Sequence, residues 1–399
     1  MKRTFKYYLK LTKSKKHELE QNLKLCCWLY NYLLEQFRKR DKSKQKQPTQ
    51  YQLINSIPQI KRDNPLLKRL YSTTLQETTK QVYKAWTKYK ELKRTSPKKG
   101  YPKFRPIHRY NSFINSQLTK EKCCGFELDN SPLSKKKAVR KLKLSLGRGN
   151  APIIVKIVME RNIQGDIKTL TIKRKNDRYY ACFSCDNIQA KPLSLTGKSI
   201  GIDVNLKKGS YITLSNGAKY KHPQHYKKSE KELVERNKSL SRKTQKSNNW
   251  LKSKAQLSRK WERVVNQFKH YSYQTANELV RDYDNIVIEK LQINNMVKND
   301  RLAKSIQQAR WGILFKIISE AAEIATRGLV RVNPRNTSQT CSDCGELSQE
   351  KVKLNQRTFE CWNCKLKLDR DVNSARNILN FAEMGSTRTF LEKGNYLLK

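Results

Sequence analysis

The sequence is poor in acidic side chains and contains no long apolar run. Its 399 residues include 34 Asp and Glu against 85 Lys and Arg, a formal charge of +51. This excess is far larger than solubility requires, and it predicts a polyanionic partner. Nucleic acid is the first candidate and an anionic membrane surface is the second. No apolar segment reaches the ~18 residues that a membrane-spanning helix needs, which disfavours the membrane alternative.

The N-terminus also lacks the charged and then apolar pattern of a secretory leader after Met1. We therefore expect a protein of the cytoplasm, associated with the nucleoid, whose thiols stay reduced. Outside residues 341–364 the cysteines come in pairs, at Cys26–Cys27, Cys123–Cys124 and Cys182/Cys185. Cys182 and Cys185 lie in an alternating, strand-like segment. Residues three apart on a strand face opposite sides, so no second metal site is expected there.

Four cysteines near the C-terminus form two Cys-x-x-Cys pairs with sixteen residues between the inner cysteines. They are Cys341, Cys344, Cys361 and Cys364. This spacing is typical of a zinc ribbon, because zinc accepts four thiolates in tetrahedral geometry. Four thiolates leave no open coordination position, so the predicted Zn²⁺ is structural. Gly345 follows the first pair, where a flexible backbone helps amides turn toward sulfur.

Residues 4–11 alternate in polarity and predict a strand. Helical periodicity then dominates from residue 13 to about 96, and Thr12 or Ser14 can cap the first helix. After Pro97–Pro102 the period becomes two, over residues 142–146, 167–173 and 179–185, with a turn at Asn176-Asp177. This segment predicts a β-rich module, a small barrel that takes residues 4–11 as its first strand.

A second domain begins near residue 198. Apolar strands are predicted at 199–204, 285–289 and 329–332, with a hairpin around Asn216-Gly217. Helices are predicted over 227–282, over 305–327 and after Asp371. The segments 135–148 and 236–260 carry many Lys and Arg and no acid. Both could be ordinary solvated faces, but runs of a single sign favour contact with phosphates.

Three acids differ from the rest in their surroundings. Asp203 lies inside an apolar strand, Glu289 ends another strand, and Asp371 lies at the start of a helix, where it could also serve as a cap. An unpaired charge in an apolar strand is costly, and a divalent cation would remove that cost. Clustered carboxylates suit Mg²⁺ or Mn²⁺, which could activate water against a phosphodiester.

Several stretches together resemble the TnpB (OrfB) family, which is encoded by insertion sequences and is similar to the miniature type V CRISPR effectors. The stretches are Gly201-Ile202-Asp203, Glu289-Lys290-Leu291, Ser338 to Gly345, and Asp369 to Ile378, with Trp28 to Asn31, Gly100 to Phe104 and Arg301 to Gly312 in support. Asn205 and Lys365 depart from the family, which often has glycine at these positions.

The resemblance implies a multidomain α/β and β-barrel protein. Its parts would be an RNase H-like RuvC nuclease with an inserted zinc ribbon, a split wedge β-barrel and a helical recognition domain. The implied boundaries are the wedge barrel at 1–12 and 97–196, the recognition domain at 13–96, the nuclease at 197–334 and 368–383, the target-binding ribbon at 335–367 and a tail at 384–399.

The resemblance also implies the activity, which is RNA-guided cleavage of double-stranded DNA beside a short transposon-adjacent motif. The catalytic and Mg²⁺-binding residues would be Asp203, Glu289 and Asp371, and Tyr51 and Gln76 would contact the motif. The implied partners are a guide RNA from the transposon end and target DNA, with the protein acting as a monomer on its RNA. The alternatives are a miniature type V CRISPR effector, a guide-bound DNA-binding protein that does not cut, and a strand-transferring transposase.

Overall fold

The computed structural model describes residues 1–96, 100–116, 125–129, 139–350, 352 and 356–384. Cys123–Cys124, residues 135–138 of the first basic run and residues 385–399 of the predicted tail lie outside these ranges. The chain divides into two compact units, Met1–Gln189 and Ala190–Lys399. Within the described ranges, no helix combines the length and the apolar character needed to cross a lipid bilayer.

The first unit combines four α-helices with a seven-stranded antiparallel sheet. The helices are α1 (Lys13–Lys42), α2 (Gln50–Asn55), α3 (Ile57–Asp63) and α4 (Ser72–Thr95), with a 3-10 turn at Pro65–Arg69. The strands are β1 (Arg3–Lys10), β2 (Ser112–Ser116), β3 (Phe126–Leu128), β4 (Val139–Leu144), β5 (Ile153–Val158), β6 (Asp166–Lys175) and β7 (Arg178–Asp186). Their order in the sheet is β2-β6-β7-β1-β5-β4-β3.

The predicted pairing of the N-terminal strand with the later β-rich segment is confirmed. β1 lies between β7 and β5, with Phe5 opposite Phe183 and Leu9 opposite Ile157. Phe5, Tyr7 and Leu9 are buried while their neighbours face outward, as the alternation predicted. The Thr12 hydroxyl caps α1 by accepting a hydrogen bond from the backbone N–H of Lys15.

The turn between β6 and β7 was correctly placed at Asn176-Asp177. Both residues have positive φ, 52° and 60°, which matches the right-handed twist of a hairpin. α1 packs against α4, and the rings of Phe37 and Trp86 stack with their centroids 5.0 Å apart. No periodicity in the sequence predicted β2, β3 or β5.

The second unit contains a five-stranded sheet with helices on both faces and a two-stranded ribbon. The sheet strands are β8 (Ser199–Val204), β9 (Ile212–Leu214), β10 (Lys219–Tyr220), β11 (Asn285–Glu289) and β12 (Gly328–Val332), and the ribbon strands are β13 (Thr358–Glu360) and β14 (Lys367–Asp369). The helices are α5 (His225–Ser241), α6 (Asn248–Asp282), α7 (Ile293–Met296), α8 (Asp300–Ala309), α9 (Trp311–Ala325) and α10 (Arg370–Met384).

The sheet order is β10-β9-β8-β11-β12, in which β8, β11 and β12 are parallel. Alternate strand residues face opposite sides. Ile200, Ile202 and Ile288 join a core with α6 and α9, and Val287 packs with Ile378 of α10 on the other side. The sheet is therefore sandwiched, and α10 packs on the face to which Asp203 and Glu289 belong by alternation.

Two helix predictions need correction. The single helix expected over 305–327 is two helices, because Arg310 takes a left-handed conformation with φ 54° between α8 and α9. Its guanidinium is half-buried, and burial lowers its pKa. The helical region expected over 227–282 is likewise a pair, α5 and α6, separated at residues 242–247 and packed against each other.

Candidate active site and metal centre

Asp203 and Glu289 lie on adjacent parallel strands at nearly the same level. Ile202 of β8 is paired with Ile288 of β11, so the residues that follow these two are neighbours across the ladder. Asp203 lies two positions after Gly201, which packs against α10, and Glu289 lies two positions after Val287, which also packs there. Both carboxylates thus project toward the face that α10 covers.

Asp371 reaches the same region from the first turn of α10. The alternative interpretation, that Asp371 is the helix cap, is wrong. The cap is Asp369, whose Oδ1 accepts hydrogen bonds from the N–H groups of Asp371 at 3.0 Å and of Val372 at 3.2 Å. Asp371 itself is 7% exposed, and its carboxylate is free for a different set of partners.

Gly201 explains how α10 can come so close to β8. A Cβ atom at this position would overlap the carbonyl oxygen of Ala375 and would lie 2.9 Å from the backbone nitrogen of Leu379. Only glycine permits such a close approach of a helix to a strand. The Gly-Ile-Asp motif therefore places Asp203 and at the same time provides the space that brings Asp371 beside it.

Burial is the first cause of the pKa shifts of all three acids. The pKa of Asp203 is raised well above its ordinary value, first by burial and then by the charges of Glu289 and Asp371. Burial also raises the pKa of Glu289 and of Asp371. Across the described ranges, the group of side chains placed closely enough to hold a metal ion as they stand is the four ribbon cysteines, whose sulfur atoms all lie within 4.8 Å of one another.

Two side chains that the sequence analysis did not predict compensate the charge of Asp371. The Lys207 ammonium donates to both carboxylate oxygens, at 3.0 and 2.7 Å, and the Ser210 hydroxyl donates to Oδ2 at 3.1 Å. The turn that presents Lys207 is held by Asn205, whose Oδ1 accepts a hydrogen bond from the Lys207 N–H at 2.9 Å. The departure of Asn205 from the family pattern thus has a structural role.

Glu289 has its own hydrogen-bond donor. The Thr337 hydroxyl lies 2.7 Å from Oε1, and this bond opposes the rise in the pKa of Glu289 that burial causes. Thr337 is 2% exposed and belongs to the segment that leads into the zinc ribbon. No periodicity or spacing in the sequence pointed to Lys207, Ser210 or Thr337, because each acts through a turn and across many residues.

The four cysteines form the predicted cluster. The Sγ atoms of Cys341 and Cys364, and those of Cys344 and Cys361, are each 3.6 Å apart. Tetrahedral zinc with Zn–S bonds of about 2.3 Å requires sulfur atoms roughly 3.8 Å apart, so the residues fit that metal. The N–H of Glu346 donates to the Cys344 sulfur and lowers the pKa of that thiol, which favours the thiolate that a metal binds.

The two knuckles of the ribbon adopt the same backbone shape. After each pair, the next N–H bonds to the carbonyl of the first cysteine at 3.1 Å, from Gly345 to Cys341 and from Lys365 to Cys361. Both residues have positive φ, 80° and 63°. Lys365 therefore occupies a glycine-type conformation, and its departure from the family pattern costs strain without removing a ligand.

A cleft of 790 Å³ lies beside the first knuckle and is lined in part by Arg331, Arg335, Ser342 and Asn380. None of the three acids lines it. In the other unit, Tyr51 is 74% exposed on α2, while Gln76 is half-buried on α4. These two helices contact each other.

Comparison with known proteins identifies the class of the chain. Residues 180–300 match the OrfB_IS605 family described as "Probable transposase", and residues 311–378 match the "Cas12f1-like, TNB domain" family. A protein of Streptomyces pristinaespiralis named "Putative RNA-guided DNA endonuclease" is 26% identical over 383 residues, covering 95% of this chain and 89% of that protein. TnpB-like protein L770 of Acanthamoeba polyphaga mimivirus is 24% identical over 67% of this chain and 53% of its own length.

Solved structures show the same fold. The Cas12f1 chain in its complex with sgRNA and target DNA has a TM-score of 0.58 at 16% identity, over 92% of this chain and 83% of that one. The mini-RNA-guided endonuclease Cas_phi3 has a TM-score of 0.54 at 10% identity, over 98% and 93%. The fold is that of the miniature type V nucleases, with a four-cysteine ribbon beside a mixed α/β sheet. The chain is similar to the TnpB (OrfB) family over residues 180–300 and to the Cas12f1-like family over residues 311–378, as the motifs indicated.

Proposed function

We propose that this protein is an RNA-guided DNA endonuclease of an insertion sequence, which hydrolyses double-stranded DNA beside a short adjacent motif. The observation that carries the proposal is the position of three acids, from β8, β11 and α10, on one face of an RNase H-like sheet. Relatives named as RNA-guided endonucleases, and the fold shared with Cas12f1, support the guided mechanism. Guide RNA and target DNA are the proposed partners, with the protein a monomer on its RNA in the cytoplasm.

The donor set fits a hard divalent cation. Carboxylate oxygens are the ligands that Mg²⁺ and Mn²⁺ prefer. The pKa of Asp203 is raised by burial and then by the charges of Glu289 and Asp371, and a cation would stabilise the ionised form against both. Asp203, Glu289 and Asp371 would hold Mg²⁺, which when bound supplies an activated water and stabilises the leaving oxygen of a phosphodiester. The four cysteines would hold the structural Zn²⁺.

The surrounding residues orient this set. Thr337 fixes Oε1 of Glu289, and Ser210 and Lys207 fix Asp371. The Lys207 ammonium lies directly at the carboxylate cluster, so it also provides a positive charge where a phosphodiester would approach. The Gly201–α10 contact holds the strand and helix that carry Asp203 and Asp371 at a fixed separation.

The α5–α6 pair offers a basic surface for the nucleic acid. Arg236 and Lys260 form ion pairs with Glu232. Six cations nearer the connection between the helices form no ion pair with an acid in the described part of the chain. They are Lys238, Arg242, Lys243, Lys246, Lys252 and Lys254. Cations without an acidic partner on a helical pair favour the phosphate contact predicted for residues 236–260.

Cleavage of a matched plasmid tests the proposal. The full chain, co-expressed with RNA from its own transposon end, is given supercoiled DNA that carries the guide match, with Mg²⁺. Wild type should linearise the plasmid, and Asp203→Asn should abolish cleavage while guide RNA still co-purifies. Asp282→Asn, at an exposed acid that pairs with Arg281, is the matched control and should cut normally.

A guide-loaded binder that never cuts is the second candidate, favoured by the ion pair that already compensates Asp371. In that case wild type and Asp203→Asn would bind matched DNA equally and neither would cleave it. Failure to co-purify RNA would contradict both guided candidates.

A further inference from the structure

The segment Thr337–Ser342, which contains the first cysteine of the ribbon, is bound to α10 by three asparagines. Asn373, Asn377 and Asn380 are spaced by four and three residues, so they lie on one face of the helix. Asn373 and Asn377 are at most 1% exposed. Buried amides must find hydrogen-bond partners, and these find theirs on the backbone of the ribbon segment.

The hydrogen bonds are short and numerous. Asn373 accepts from the N–H of Ser342 at 2.9 Å and donates to the carbonyl of Thr340 at 2.8 Å. Asn377 donates to the carbonyls of Thr340 at 2.6 Å and Thr337 at 2.9 Å. Asn380 donates to the carbonyl of Ser342 at 3.1 Å. The residues on either side of the zinc ligand Cys341 are thus fixed to the helix that begins with Asp371.

Thr337 connects this network to the acid on the neighbouring strand. Its carbonyl accepts from Asn377, and its hydroxyl donates to Glu289 Oε1 at 2.7 Å. The hydrogen bond engages one carboxylate oxygen of Glu289. A ligand oriented in this way has less freedom to rotate before it binds a metal, which is how outer partners tune metal sites.

We propose that Thr337 is a positioning residue for Glu289, and that it transmits the position of the zinc ribbon to the carboxylate cluster. This inference rests on the proposed function and deepens it, because it makes the ribbon a structural determinant of divalent-cation binding at the acids. The ribbon segment, through Asn377 and Thr337, links the helix of Asp371 to the strand of Glu289.

The test replaces Thr337 by valine, which removes the hydroxyl and nearly keeps the volume. The measured quantity is the Mg²⁺ concentration that gives half-maximal plasmid cleavage by the full chain with its guide RNA. We expect this concentration to rise about 10-fold to 100-fold, as is typical when an outer partner of a metal ligand is lost. Thr337→Ser keeps the donor and should restore the wild-type Mg²⁺ dependence.

Thr340→Val is the matched control, because it makes the same change three residues away and keeps the backbone carbonyl that the asparagines use. In the described structure the Thr340 hydroxyl makes no hydrogen bond. Zinc content, melting temperature and guide-RNA binding of all variants are measured in parallel. If Thr337 had only a structural role, Thr337→Val would lower the zinc content, the melting temperature or the guide-RNA binding, or would reduce cleavage equally at every Mg²⁺ concentration. Either result would overturn the inference.

A binding measurement separates this inference from the proposed function. Mn²⁺ is added to the RNA-loaded protein, and the electron paramagnetic resonance signal of the free ion reports how much Mn²⁺ is bound. If wild type binds Mn²⁺ and Thr337→Val binds it more weakly, the positioning role stands even where no DNA is cut. If both bind equally well while wild type cuts DNA, the positioning role is refuted and the nuclease remains. If wild type neither binds Mn²⁺ nor cuts, both are refuted.

Discussion

Replacing Gly201 by alanine tests how closely the geometry of the acids depends on one contact. The new Cβ would overlap the Ala375 carbonyl oxygen and lie 2.9 and 3.0 Å from the backbone nitrogen and Cβ of Leu379. Packed heavy atoms prefer separations of about 3.5–4.0 Å. The helix α10 would therefore have to shift by about 1 Å away from β8, and Asp371 would move with it.

Gly201→Ala is expected to reduce both the stability of the protein and its cleavage rate. Overpacking a close contact typically destabilises a protein by about 1–3 kcal/mol, and a displacement of 1 Å at a reacting centre can reduce a rate by about 100-fold. We expect Gly201→Ala to melt at a lower temperature and to cut plasmid DNA about 100-fold more slowly, with guide RNA still bound. Melting curves and single-turnover cleavage measure the two effects.

Gly312→Ala is the matched control. A Cβ there would meet only the Ile293 side chain, at 3.5 Å, and alanine is favoured over glycine in a helix by about 0.5–1 kcal/mol. Its stability should be equal to or above that of wild type, with unchanged cleavage. If Gly201→Ala matched wild type in both assays, the claim that this close approach sets the position of Asp371 would be false.

Three further outcomes are expected. Lys365→Gly should stabilise the zinc-loaded protein by about 1 kcal/mol in a melting experiment, because it relieves a left-handed conformation that Gly345 tolerates; an unchanged or lower melting temperature would contradict this. Burial and the neighbouring acids raise the pKa of Asp203 in the folded state. Without added Mg²⁺, the free energy of unfolding should therefore fall as the pH rises from about 4, the ordinary carboxylate pKa, through the raised pKa. Melting temperatures measured against pH should show this fall in wild type and a smaller fall in Asp203→Asn. Changing Lys252 and Lys254 to glutamine should reduce the slope of log affinity for nucleic acid against log salt concentration by about 1 to 2, because each lost phosphate contact contributes about 0.7–0.9 to that slope. An unchanged slope would place the phosphates elsewhere.

The cysteine ribbon is attached to the helix that carries Asp371, which would not be expected of a separate binding module. Its first knuckle is hydrogen-bonded to α10, and its second strand, β14, ends at Asp369, which caps α10. Both ends of the ribbon are therefore fixed to the helix that carries Asp371. Because metal binding at cysteines contributes folding free energy, the proposed Zn²⁺ would also stabilise the start of that helix.

The sequence by itself determined the features that depend on local spacing. The paired cysteines predicted a four-thiolate cluster, and the cluster is present. Alternation and apolar runs located β1, β8 and β11, and so showed that Asp203 and Glu289 belong to strands. These patterns succeed because the period of a strand and the geometry of a metal knuckle are set by residues only a few positions apart.

Only the tertiary structure decided which groups surround the acids. Lys207 reaches Asp371 across 164 positions, and Thr337 reaches Glu289 across 48. It also decided that Asp369 rather than Asp371 caps α10, and that Arg310 divides a helix that periodicity had joined. These contacts depend on how helices pack against the sheet, and a short window of sequence contains no information about a partner so far along the chain.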